Sequence, residues 1–156
     1  MSFNFRNRIA FHYIVATAII MAIAFAATYI SVKTTVFNNL DTDLSYEAKK
    51  HTTDIRIIND KIQFINRSEW AEREHTEVQV NPVFIQLIDA AGNPVDKSPN
   101  LKEANLPFNK ALIGKHFNTY LNQRTIRQVQ VPIAQAGAVK GYILAAMSTE
   151  SANAVI

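Results

Sequence analysis

Between Ile9 and Val32 the chain runs through twenty-four residues, IAFHYIVATAIIMAIAFAATYISV, without a formal charge. Wound as a helix, such a run is roughly 36 Å long, enough to cross a bilayer core of about 30 Å with some tilt. A helix satisfies its own backbone hydrogen bonds, so lipid can surround it on every side. The run therefore predicts a transmembrane helix over residues 9–32, and whatever the 156-residue chain folds into must sit behind that anchor. A cleavable leader is the competing reading, because the basic start Phe5-Arg-Asn-Arg8 precedes the run and Ala24-Phe25-Ala26 has the small residues of a cleavage site. The run exceeds the roughly 7–15 residues of a leader's apolar region, and it continues through Tyr29 and Ile30, which favours retention.

The flanks set the expected orientation. Arg6 and Arg8 lie just before the span, whereas Lys33 is followed by Asp41 and Asp43, so residues 1–8 are expected in the cytoplasm and the rest outside it. The formal charge of +3 is no sign of a nucleic-acid partner, because from Lys33 onward fourteen basic residues face thirteen acidic ones. No basic cluster extends beyond Lys49-Lys50, and no nucleic-acid-binding signature is present. The chain has no cysteine, which excludes disulfides, thiolate nucleophiles and cysteine-ligated zinc.

After Lys33, Phe37, Leu44, Ala48, His51, Ile55, Ile58, Ile62 and Ile65 recur at helical intervals, with no Gly or Pro between Phe37 and Ile65. The spacing predicts one long helix over 33–66 that continues the membrane helix and packs its stripe on a sheet. The same stripe over 37–65 also suits a parallel two-helix seam, hence a homodimer. Residues 66–82, NRSEWAEREHTEVQVNP, then form a polar connection that closes on Asn-Pro. It contains a short glycosylation pattern at Asn66. Its Glu69, Glu72, Glu74, His75 and Glu77 match no metal-ligand spacing and suit a solvated face.

The second half reads as strands. Val83 to Asp89 is rich in β-branched and aromatic residues, Ala-Gly-Asn turns the chain, and Pro94 to Lys97 returns. A short helical stretch at 109–113 stops at Gly114, and three further strands follow at 116–121, 124–134 and 139–148. Connections this short pair strands antiparallel, so the expected fold is α+β: an N-terminal membrane helix, a long helix, and a four- to five-stranded antiparallel sheet.

Catalytic signatures are missing. No phosphate-binding glycine loop, HExxH or GxSxG occurs, and the four histidines at 12, 51, 75 and 116 include no i, i+4 pair. The chain is expected to be no enzyme and to carry no cofactor or metal. One residue departs from its strand's pattern: Val129, Val131 and Ile133 share a face, and Arg127 occupies the next position in that row. A buried arginine there calls for a carboxylate or an anionic ligand, while an arginine at an exposed strand end would only extend its head into water. Arg127, with Tyr142 on the neighbouring strand and His116, is the candidate ligand-binding set.

Several segments, taken in order, resemble the N-terminal input region of bacterial two-component sensor histidine kinases, in the branch that includes heavy-metal sensors. They are the basic start and membrane helix; Phe37-x-x-Leu40-Asp41-x-x-Leu44; the hairpin from Ile85 to Asn93 followed by Ser98-Pro-Asn-Leu101 and Leu106-Pro107; Val131-Pro-Ile; and Gly141-Tyr-Ile-Leu-Ala-Ala-Met-Ser148. The resemblance implies a PAS-like extracytoplasmic sensor domain over 33–148 in the inner membrane, commonly dimeric, that binds a small ligand or a protein and shifts the helices entering the membrane. It also implies that 149–156 begins a helix toward a second membrane span and that a kinase core belongs to a longer parent. A complete single-pass, membrane-anchored binding or assembly protein is the alternative from another class, and a protein released by cleavage near Ala26 is a third.

Overall fold

The computed structural model describes residues 5–58, 61–65 and 82–155. Two units make up the chain, Met1–Phe37 and Asn38–Val155. Helix α1, Phe5–Thr52, runs through both. Its apolar window has no part buried within the protein, and among the described residues it is the one helix long and apolar enough to cross a membrane. Ile14, Ile20, Phe25 and Ile30 all lie exposed, as expected of side chains whose solvent is lipid.

The helix stops at Thr52, well short of the expected 66. Thr52 and Thr53 donate their hydroxyls to the carbonyls of Lys49 and Lys50 at 2.6 and 2.7 Å, occupying acceptors that a further helical turn would have used. Lys49, Lys50 and His51 then face the negative end of the helix. Beyond the stop, β1 (Ile55–Ile58) and β2 (Lys61–Phe64) pair as an antiparallel hairpin in which Ile55 faces Phe64. The isoleucines had fitted a helical spacing, but the β-branched density of Ile-Arg-Ile-Ile favours extended backbone, and only alternate residues turn inward. Ile62 and Phe64 are buried, whereas Ile58 and Ile65 are exposed. A helical seam over 37–65 is thereby corrected as well: the described residues from Ile55 to Phe64 are strand rather than helix, and Leu44, Ala48 and His51 are buried in the chain's own core.

Five strands form the main sheet in the order β4-β3-β7-β6-β5, every pair antiparallel. They are β3 (Val83–Asp89), β4 (Pro94–Lys97), β5 (Phe117–Leu121), β6 (Arg124–Gln135) and β7 (Ala138–Ser148). A 3-10 turn at Pro99–Leu101 follows β4, another at Lys110–Leu112 precedes β5, and helix α2 (Glu150–Val155) follows β7. The β5–β6 and β6–β7 hairpins close on two residues each, Asn122-Gln123 and Ala136-Gly137, all with positive φ. That geometry matches the twist of the strands it joins.

Both faces of the sheet are covered, which is why Val83 to Ile88 of β3 are buried in succession rather than alternately. On one face Val83, Ile85, Leu87, Val129, Ile143 and Ala145 pack with Leu44 and Ala48 of α1 and with Ile62 and Phe64 of the hairpin. On the other, Phe84, Ile88, Ile126, Tyr142, Leu144 and Ala146 pack under Leu101, Leu106 and Leu121. Gly141 marks a close approach on the first side. A Cβ there would collide with the backbone carbonyl of Ile88 and with the tip of Ile62.

The second face is covered by irregular chain, whose backbone groups need partners. Three buried glutamines supply them. Gln86 Oε1 accepts from Leu106 N at 2.7 Å, Gln128 Nε2 donates to Pro107 O at 2.7 Å, and Gln130 both accepts from Asn109 N and donates to Asn109 O. The Ser98-Pro-Asn100 segment is held in a similar way. Ser98 Oγ accepts from Ile85 N and donates to Asn100 Oδ1, and Asn100 Nδ2 donates to Val83 O. Gln130→Leu should therefore destabilise the fold by about 1–3 kcal/mol in denaturant unfolding, although it increases apolar burial, because it removes both part-buried hydrogen bonds that hold the Asn109 backbone to the sheet. An unchanged midpoint would show that water replaces the amide.

Candidate functional site

Arg127 finds its carboxylate on α1. Its Nε donates to Asp41 Oδ1 at 2.6 Å and its Nη2 to Asp41 Oδ2 at 2.8 Å, a two-bond fork. Nη1 donates to Oδ1 of Asn118, the cross-strand neighbour on β5, at 3.0 Å. The alternation of β6 places Arg127 on the α1 side of the sheet, and the helical turn brings Asp41 over it. His116 completes the cluster, with Nε2 2.9 Å from Ser45 Oγ and Nδ1 3.9 Å from Asp41 Oδ2. Ser45 in turn donates to the Asp41 carbonyl one helical turn back.

The side chains of Asp41 and Arg127 are 23% and 19% exposed, so the pair is screened less than a surface ion pair. The Arg127 hydrogen bonds and charge hold the Asp41 carboxyl below its ordinary range, with His116 adding a smaller pull, and Asp41 in turn raises Arg127 further. The arrangement is a mechanical one. It fixes α1 against β5 and β6 at one helical rotation, because a fork of two bonds resists sliding and turning together.

The lowered Asp41 carboxyl ties the stability of the fork to acid pH. A carboxyl depressed in the folded state contributes stability that is full above its unfolded value near about 3.9 and is lost as pH falls through the lower folded value. Asp89, whose carboxylate accepts from Asn93 N and Nδ2 in the β3–β4 turn, is shifted the same way. Asp41→Asn should thus flatten, without abolishing, the loss of stability below about pH 4. Urea unfolding of both proteins across that range measures it, and parallel acid profiles would show that the pair contributes nothing.

Of the three residues singled out by sequence, the structure brings Arg127 and His116 together and leaves Tyr142 apart. Tyr142 lies on the opposite face of the sheet, its ring 4.8 Å from that of Phe108. Residues 127 and 142 belong to adjacent strands, but their parity in the β6–β7 register differs: Arg127 faces Met147, and Tyr142 faces Pro132. Asp41, Ser45 and Asn118 were not singled out. Asp41 carried a signal in its place within Phe37-x-x-Leu40-Asp41-x-x-Leu44, as an acid beside the buried stripe. His51 is packed against the Phe64 ring at 5.7 Å. Among the described residues no group of His, Asp and Glu is placed to hold a metal. The glycosylation pattern at Asn66 and the acidic cluster from Glu69 to Glu77 lie outside the described residues. No protein-family model, no curated protein and no solved structure matches the chain.

Proposed function

We propose that this chain is the membrane-anchored, extracytoplasmic input region of a two-component sensor histidine kinase, with the PAS-like domain outside an inner membrane and the kinase core supplied by a longer parent. The observation that carries this reading is that one uninterrupted helix, apolar enough for a membrane in its first half, is fastened to the sheet in its second half by the Asp41–Arg127 fork. A signal that alters the sheet changes the strain on that fork and so biases the rotation or register of α1. In this reading α2, which follows β7 directly, is the second route out of the sheet. Two copies associate through faces of α1 other than the one bearing Leu44, Ala48 and His51, and catalysis is no part of this region.

The gene sequence beyond codon 156 is the direct test. A second apolar span followed by a helix bearing a phosphoacceptor histidine is expected. A frame that ends there, with the protein stable at this length, would replace this reading with that of a complete membrane-anchored binding protein.

A further inference from the structure

A cavity of about 300 Å³ opens on the sheet face opposite α1, at the end where β7 passes into α2. Its floor is apolar, made by Phe84, Leu101, Leu121 and Ile126. Its rim is polar and basic, with Lys102 and Arg124 beside Asn122 and Ser148. Among the described residues no acidic side chain lines it. An apolar floor under a few converging polar groups is the composition of a small-molecule site, and this volume lies at the small end of such sites.

Two further features bear on the rim. Lys102 has φ 50 and ψ −122, backbone that glycine tolerates and a side-chain-bearing residue adopts only under strain. Strain retained at a cation on the mouth of a cavity suggests that the side chain is used there. Arg124 leans toward Glu150 of α2, with Nε 3.7 Å from Oε1, and both side chains are more than half exposed. So loose a pair is weak and readily exchanged for another anion.

We infer that this cavity binds a small monocarboxylate with an apolar body, its hydrocarbon part on the Phe84–Ile126 floor and its carboxylate between Lys102 and Arg124. Binding takes Arg124 from Glu150, so ligand and α2 compete for one guanidinium. The inference stands apart from the sensor reading, since a binding protein of any kind could use the site.

The test uses the full chain in zwitterionic lipid nanodiscs, with 3-phenylpropionate as probe and the methyl resonances of Leu101, Leu121 and Ile126 as reporters. Saturable shifts are expected, with acetate and 3-phenylpropanamide each about tenfold weaker, since one lacks the apolar body and the other the charge. Arg124→Gln should weaken binding about tenfold, whereas Glu150→Gln should tighten it roughly two- to threefold by releasing Arg124. Lys102→Gly separates binding from folding: it should weaken the probe while leaving thermal stability equal or higher, because glycine relieves the strain. Absence of saturable shifts, equal binding of the amide, or unchanged affinity in Arg124→Gln would overturn the assignment.

Discussion

Arg127→Gln should lower the unfolding free energy of the sheet-bearing unit by about 2–3 kcal/mol, a large effect for one side chain at the end of a strand row. The cause is what remains behind. Asp41, mostly shielded from water, would keep its charge and lose two hydrogen bonds that are stronger than neutral ones. Asp41→Asn should cost a similar amount, because the guanidinium would then lack its countercharge. The double variant Asp41→Asn, Arg127→Gln should cost clearly less than the two single changes added together, since no unpaired charge is left. Denaturant unfolding of all four proteins gives the coupling energy directly. A coupling below about 0.5 kcal/mol would mean that the fork is only a surface contact and would remove the main support for a helix held at one rotation.

Gly141→Ala should be at least as damaging, at about 3 kcal/mol or more, although it adds only one methyl group. Gly141 sits opposite Asp89 near the end of the β3–β7 ladder and under Ile62 of the β1–β2 hairpin. The new Cβ would meet the Ile88 carbonyl, which is backbone and cannot yield without breaking the ladder, and the Ile62 side chain, which can. Adding Ile62→Val should therefore restore a minor part of the lost stability. Full recovery in the double variant would locate the clash in the hairpin alone and show that the backbone has room. In neither variant should the Asp41–Arg127 region respond, because it lies at the other end of β6 and β7.

Much of the fold could be read from local pattern. The strands from Val83 onward, the turn at Ala-Gly-Asn and the stop at Gly114 all follow from β-branched content and from glycines suited to positive φ. The helix end at Thr52 could not be read in that way. Isoleucines at 55, 58 and 62 satisfy a helical spacing, whereas Ile55 with Ile57 and Ile62 with Phe64 satisfy a strand alternation, and the decision rests on the threonine hydroxyls and on the sheet surface available to Ile62 and Phe64. Gln128 and Gln130 are likewise hidden from local pattern. Alternating with valines, they look like the wet side of a strand, yet both are fully buried because the chain at 106–109 brings its backbone groups to them.

The sequence by itself determined the membrane-competent helix, the α+β class and the antiparallel order of the last strands. Each of these depends on a run of neighbours whose hydrophobicity or backbone preference acts over a few residues. It also marked Arg127 as a charge in an apolar row, one that needs an anion where the row is buried and only water where the strand end is exposed. Only the tertiary structure decided which anion that is. Asp41 lies eighty-six positions away, and its meeting with Arg127 depends on the rotation of α1 over the sheet, a property of packing that no local pattern encodes. The same is true of Tyr142, which a single step of strand parity sends to the opposite face, and of the cavity over Phe84, assembled from four separate stretches of chain.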